Sequence, residues 1–135
     1  LLAMEESTFQ DQTLTQNVTI TWGKTETQPT RKPDIEVDYS RVLANLNKAI
    51  ELEPEWGFAY FNRANLKVRL KDYRGAIDDY SSAVLHQPEL AEAYFNRGLT
   101  YIYLKDKPAG CEDLGKAGEL GIDVAYKAIK RYCYK

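Results

Sequence analysis

The stretch that decides the fold is residues 59–88, AYFNRANLKVRLKDYRGAIDDYSSAVLHQP. A second stretch, AYFNRGLTYIYLKDKPAGCEDLGKAGELGI, begins at residue 93, so the pentapeptide AYFNR of positions 59–63 recurs at positions 93–97. The same offset counted backwards makes residues 38–54 the second half of an earlier unit. Because a fixed period of about 34 residues is typical of stacked two-helix units, the sequence predicts a repeat array.

Each unit contains two patterns of apolar residues spaced three to four apart, and this spacing predicts two amphipathic helices. In residues 55–88 the patterns are Tyr60, Ala64, Leu66 and Leu70, then Ala76, Ile77, Tyr80, Ala83 and Val84. Asp72 lies between the two patterns and is expected to cap the second helix. Pro88 is expected to end the unit because proline cannot continue a helix.

This period and its residue pattern resemble the tetratricopeptide repeat family. The family's signature positions are occupied here by Tyr60, Ala64, Ala76, Tyr80, Ala83 and Pro88. Residues 89–122 match less well, because Gly110, Leu114 and Ile122 stand where alanine, an aromatic residue and proline are expected. The resemblance covers about 85 of 135 residues and implies an all-α fold, a superhelical array of antiparallel helix hairpins or α-solenoid.

The last stretch, residues 115–135, is similar to the ends of bacterial tetratricopeptide proteins. Asp123 would cap a final short helix that covers the end of the array. The expected organisation is an extended segment or linker, a half-unit, two full units and a capping helix, at residues 1–33, 34–54, 55–88, 89–122 and 123–135. Residues 34–135 would then form one domain, and we expect the chain to be the C-terminal piece of a longer protein.

Residues 1–33 break the repeat pattern. Residues 14–22, LTQNVTITW, alternate apolar and polar side chains, which is typical of an extended strand. Two hypotheses stay open: a linker left from a larger protein, or an arm that packs in the groove or pairs with a second chain. The stripe Leu43, Leu46 and Ile50 of the leading helix would need this segment, a neighbouring chain or earlier repeats to cover it.

Composition limits the class of protein. The chain has 135 residues, 44% of them apolar, which is enough for one globular core. No apolar stretch is long enough to insert into a membrane. The net charge of −2 gives no concentrated basic surface for nucleic acid. We therefore expect a soluble protein, cytoplasmic or periplasmic, whose targeting signal would lie in a missing upstream region.

No group of residues in the sequence forms a catalytic or metal site, so we expect neither enzyme activity nor a cofactor. The single histidine, His86, is expected at the surface or between the helices of a hairpin. The carboxylates expected on the solvated outer faces of the second helices are Asp78, Asp79, Glu112 and Asp113. Cys111 and Cys133 have no metal-ligand spacing, and we expect free thiols, although the sequence leaves their pairing open.

The resemblance also implies a binding surface, because the first helix of each hairpin lines the concave groove of tetratricopeptide arrays. The solvent-facing residues of the two first helices are expected to be Phe58, Phe61, Asn62, Asn65, Val68 and Arg69, then Glu92, Phe95, Asn96, Leu99, Ile102 and Tyr103. Aromatic side chains would bury area against a partner, and Asn62 and Asn96 would hydrogen-bond its main chain. Some of these residues could instead pack between helices, Phe58 and Leu99 above all.

Two hypotheses about function follow. Protein or peptide binding in the groove is preferred, and self-association through the N-terminal segment or the leading helix, as a structural piece of an assembly, is the alternative. The family's carboxylate clamp for acidic C-termini is not expected. Asn62 matches the clamp, but Glu92 and Asn96 stand where the clamp needs a lysine and an arginine.

Overall fold

Residues 38–134 are described by the structure, a computed structural model, and they fold into helices without any strand. The helices of this part of the chain are α1 (Tyr39–Leu52), α2 (Gly57–Arg69), α3 (Tyr73–His86), α4 (Ala91–Tyr103), α5 (Lys107–Glu119) and α6 (Val124–Tyr132). Each helix packs against the next, and α2–α3 and α4–α5 form the two tightest hairpins. The predicted fold class, an all-α array of antiparallel helix hairpins, is confirmed for this part of the chain.

Three helices begin directly after an aspartate, and these aspartates are spaced by the repeat period. The backbone N–H groups of Arg41, Gly75 and Ala109 each face the carboxylate of the aspartate three residues earlier, namely Asp38, Asp72 and Asp106. Such a cap satisfies one of the N–H groups that the first helical turn leaves without a partner. The predicted cap at Asp72 is therefore confirmed. Asp123 precedes α6, but its side chain makes no capping hydrogen bond, so that prediction is wrong.

Three helices end through the same left-handed turn. Lys71, Lys105 and Gly121 have φ angles of 66°, 72° and 110°, where an L side chain is strained and glycine is not. In each turn the next residue's N–H bonds back to a carbonyl in the last turns of the helix, as from Asp72 to Lys67. Gly121 thus forms the turn that follows α5.

Small side chains and one tyrosine fill the centre of the first hairpin. The buried cluster between α2, α3 and α4 consists of Ala64, Val68, Ala76, Tyr80, Ala83 and Ala93. A second cluster, Leu99 with Leu114, lies under the apolar side of α6, which contributes Ala128, Ile129 and Tyr132. The capping helix thus covers apolar surface that the α4–α5 hairpin would otherwise expose.

The second hairpin crosses at two glycines. A Cβ atom added to Gly98 would lie 3.0 Å from the carbonyl oxygen of Gly110, and one added to Gly110 would lie 2.8 Å from the carbonyl oxygen of Gly98. The corresponding residues of the first hairpin are Ala64 and Ala76, both fully buried. The α4 and α5 backbones therefore approach too closely at this point for any side chain.

The two ends of the array differ from its centre. Helix α1 contains no buried residue, and α6 contains one, Ala125. Val42 and Leu52 of α1 remain 38% and 69% exposed. The expected strand at residues 14–22 and the first residues of the expected half-unit lie outside the described residues, so what covers the stripe of α1 stays a prediction.

A disulfide bond joins Cys111 of α5 to Cys133 at the end of α6, and the expectation of free thiols is wrong. The repeat gives the physical reason. Counted back by one repeat of about 34 residues, Cys111 corresponds to Ile77 on α3, and Cys133 corresponds to Leu99 on α4. Packing α6 on α5 in the register of α4 on α3 therefore brings the two sulfur atoms together.

Candidate functional site

The first-helix surface of α2 and α4 carries most of the residues expected to line the groove. Phe58 and Tyr103 are 40% and 52% exposed, and Asn62 and Glu92 are exposed as well. Phe61, Arg69 and Phe95 are half-buried. We define the groove face as these seven residues: Phe58, Phe61, Asn62, Arg69, Glu92, Phe95 and Tyr103.

Four expected groove residues are buried instead, and their assignment is corrected. They are Asn65, Val68, Asn96 and Leu99, of which Asn96 is only 1% exposed. The Asn96 side-chain amide donates a hydrogen bond of 3.0 Å to Oδ1 of Asn65, which also accepts a bond from the Tyr80 hydroxyl. This network joins α2, α3 and α4, so the Asn96 amide is not free to bind a partner's main chain.

Three aromatic residues of the groove face pack against other side chains of the array. The Phe61 ring lies 6.0 Å from the ring of buried Tyr80, and Phe95 packs on the cluster of Leu99 and Leu114. Tyr103 lies 4.6 Å from the ring of Tyr73 at the start of α3. These three rings are therefore partly packed against other side chains and partly open to solvent.

Asp79 and Asp113 do not face solvent, contrary to expectation. Asp79 is 4% exposed and accepts two hydrogen bonds from the Arg63 guanidinium, at 2.7 and 2.8 Å. Arg97 binds Asp113 in the same way, at 2.7 and 2.9 Å. Asp78 and Glu112 are exposed as expected. Each hairpin therefore contains a two-bond arginine–aspartate pair, and charge-assisted pairs of this kind are stronger than neutral hydrogen bonds.

A further bond links each pair to the preceding unit. Arg63 donates to Asn47 of α1 at 2.8 Å, and Arg97 donates to Ser81 of α3 at 2.9 Å. Asn47 and Ser81 are themselves equivalent positions of successive units, so the whole arrangement repeats. The hydrogen bond to Asp79 raises the pKa of Arg63, and Asp113 has the same effect on the pKa of Arg97. These arginines are structural links between repeats.

Pairing inside the hairpins changes the charge of the groove face. Lys67 also bonds Asp79, at 3.0 Å, so both this lysine and Arg63 are directed inward. Arg97 is likewise paired with Asp113, at 2.7 Å. The charged members of the groove face are then Arg69 and Glu92, one of each sign.

The remaining features of the described region concern the histidine, metal ligands and helix length. His86 stacks on the Tyr60 ring at 5.6 Å, which places it in the packing of the first hairpin, one of its two expected positions. Within residues 38–134 no cluster of histidine, cysteine and carboxylate side chains could hold a metal ion. None of the described helices is long and apolar enough to cross a bilayer.

The structure adds residues that the sequence reasoning missed. An open cavity of about 510 Å³ lies at one end of the groove face, lined by Leu99, Ile102, Tyr103, Lys105 and Tyr132. Lys105 and Tyr132 are not among the residues predicted to line the groove. The available signal was the short apolar pattern of the last helix, which leaves the end of α4 uncovered.

Solved structures with a similar fold include two tetratricopeptide-domain proteins. One is described as "MamA RS-1 ArsTM double mutant"; it aligns with a TM-score of 0.57 and 27% identity over 62% of this chain and 47% of that chain. The other is the TPR2B domain of yeast Sti1 in a complex with pHsp70; its TM-score is 0.60, with 21% identity over 84% of this chain and 81% of that chain.

These likenesses have limits. At 21% identity the Sti1 domain shows the fold alone, and this chain spans less than half the length of the MamA chain. No family model and no curated protein matches the sequence. The period, the hairpins and these neighbours together show that the described part of the chain has a tetratricopeptide-like fold.

Proposed function

We propose that the chain is a binding module that holds an extended segment of a partner protein against the groove face. The observation that carries the proposal is the set of solvent-accessible aromatic side chains on α2 and α4, of which Phe58 and Tyr103 are 40% and 52% exposed. Exposed apolar surface of this kind, mixed with polar groups, usually marks a site for a partner.

Two further features support this proposal. Phe61 and Phe95 are anchored in the core, so a partner would meet a surface that loses little conformational freedom on binding. Asn62 is exposed and offers both a donor and an acceptor to an extended main chain. The Sti1 domain, one of the two structural neighbours, was solved in a complex with pHsp70.

The test uses peptides of twelve residues selected from a random displayed library against the whole chain. We expect Phe58→Ala to weaken the best peptide by about tenfold or more, because binding energy concentrates in a few aromatic residues. Leu85→Ala is the matched control, because Leu85 is an exposed apolar residue (72%) of α3, a second helix. Titration calorimetry of the three proteins with one peptide measures the difference.

The opposite ranking would end the proposal. If Leu85→Ala weakens the peptide and Phe58→Ala does not, the binding surface lies on the second helices. Salt gives an independent check. The groove face carries Arg69 and Glu92 as charges of opposite sign, so we expect the affinity to fall only weakly between low and high ionic strength.

A further inference from the structure

The disulfide bond borders the same buried cluster that supports Phe95 of the groove face. Cys133 packs against the cluster of Leu99 and Leu114, and Phe95 packs against this cluster as well. Phe61, the equivalent residue of α2, packs instead against the cluster between α2, α3 and α4. The cross-link is therefore joined to the α4 part of the groove face through a core that the α2 part does not share.

Helix α6 is held over this cluster by little noncovalent contact. It has 9 residues, of which Ala125 is the buried one, and it packs mainly on α5. Its apolar side, with Ile129 and Tyr132, covers the cluster of Leu99 and Leu114. A helix of this length opens readily unless tertiary contacts support it. The bond between the two cysteines is therefore what keeps α6 closed over the support of Phe95.

A dithiol reductant can open this bond. Cys111 and Cys133 are both half-buried, so a thiolate from solution can reach a sulfur atom. The thiolate attacks one sulfur, the bond between the two cysteines breaks, and a mixed disulfide forms. The second thiol of the reductant then displaces the cysteine. The two cysteines gain two electrons and two protons, and the reductant becomes a disulfide.

We propose that the disulfide is a redox latch that controls partner binding at the α4 part of the groove face. The proposal rests on the proposed function and adds its regulation. With the bond closed, α6 covers the cluster and Phe95 packs on a fixed support. With the bond open, α6 separates from the cluster, Phe95 loses its support, and the partner binds more weakly. By the same coupling, a bound partner favours the disulfide over the two thiols.

Hydrogen exchange tests the latch without any partner. The whole chain is measured before and after treatment with dithiothreitol, and alkylation followed by mass spectrometry confirms that both cysteines are reduced. We expect residues 124–132 to lose most of their protection, whereas residues 57–86, which form α2 and α3, keep theirs. Unchanged protection of residues 124–132 would overturn the proposal. Equal loss in both ranges would overturn it too, because the bond would then stabilise the whole array.

Cys111→Ser combined with Cys133→Ser gives a chain in which the latch is always open. We expect this double variant to have the exchange pattern of the reduced wild type and to be insensitive to dithiothreitol. Its insensitivity would show that the reductant acts through this bond. A double variant that keeps the protection of the oxidised wild type would show that packing alone closes α6, and the proposal would be wrong.

The peptide selected from the displayed library connects the latch to the groove face. We expect reduction of the wild type to weaken peptide binding by about fivefold or more, as titration calorimetry measures. Phe58→Ala should keep this redox effect, because Phe58 lies on α2. Phe95→Ala should lose most of it, because the side chain that senses the cluster is gone. A full redox effect in Phe95→Ala would contradict the proposed coupling.

The two proposals can fail separately. If the selected peptides depend on Phe58 but bind the oxidised and reduced chains equally well, the groove face stands and the latch proposal is wrong. If residues 124–132 open on reduction while Phe58→Ala leaves the peptides unaffected, the groove proposal is wrong, and the redox-dependent opening of α6 stands alone.

Discussion

At the scale of single side chains, Arg63 and Arg97 each link three helices. Each gives two hydrogen bonds to a buried aspartate of its own unit and one to a side chain of the unit before it. A buried carboxylate is tolerated only when paired, because its desolvation costs several kcal/mol. The same three bonds thus close a hairpin and fix the register between neighbouring units.

Asp79→Asn should lower the free energy of unfolding by about 2 kcal/mol, since the amide cannot pair with both Arg63 and Lys67 and leaves their charges partly buried. Asp78→Asn is the control, because Asp78 is the adjacent residue and is exposed. Urea denaturation of the two variants measures the difference in midpoint. Equal midpoints would mean that the pair with Arg63 contributes nothing to stability.

This pair could have been found in the sequence. The arginine and the aspartate both recur with the repeat, as Arg97 and Asp113, and the two partners have the same separation of 16 in each unit. The error lay in treating a charged residue on a second helix as solvated by default. Two opposite charges that recur together on facing helices indicate a pair, and a pair permits burial.

At the scale of the helices, the contact between α4 and α5 is set by Gly98 and Gly110. The backbones meet where the first hairpin has two alanines, and the space beside each glycine is filled by the other's carbonyl oxygen. Gly115, also in α5, has no atom within 4 Å of the place where a Cβ would lie. Helix packing therefore requires glycine at position 110 of α5 but not at position 115.

Gly110→Ala should destabilise the chain by about 1–3 kcal/mol, because the added methyl group overlaps the Gly98 carbonyl and the Ile102 side chain. Gly115→Ala should stabilise it by up to about 1 kcal/mol, since alanine is the better helix former and the site is open. Thermal unfolding of the two variants measures the shifts. A gain in stability from Gly110→Ala would show that α4 and α5 can move apart at no cost.

The helices, the hairpins and the Asp72 cap could be predicted because they depend on local spacing that repeats. The side of a helix that faces solvent could be predicted less well. A first helix contacts both its own partner and the preceding unit, so its apolar stripe is wide, and periodicity alone does not show which edge is covered. Asn96 and Leu99 fall on the covered edge, whereas Phe58 falls on the open one.

At the scale of the whole molecule, the described array is unequal at its two ends. Helix α1 has no buried residue and packs mainly on α2, whereas α6, with one buried residue, is bonded covalently to α5. In arrays of this kind each unit is stabilised mainly by its neighbours, so end helices open first. The disulfide prevents the C-terminal helix from separating in that way.

Hydrogen exchange should therefore show the least protection in α1 and the most in α3 and α4, which lie in the centre of the array. Helix α6 is the internal control, because it is also terminal and little buried but is cross-linked. We expect its amides to exchange more slowly than those of α1, as mass spectrometry of peptic fragments would measure. Protection of α1 equal to that of α4 would instead show that residues 1–37 or a second chain cover it.

The disulfide also makes the stability of the molecule depend on the redox conditions. A cross-link at a sequence separation of 22 contributes about 3 kcal/mol by restricting the unfolded chain, and glutathione and thioredoxin systems can remove it. Both cysteines are half-buried, so reductants can reach the bond. Where thiols are kept reduced, α6 would be a short helix held by packing alone, and helices of that length are marginal without support. The open cavity beside Tyr103, which Tyr132 of α6 helps to line, would then be fully formed only while the disulfide is intact.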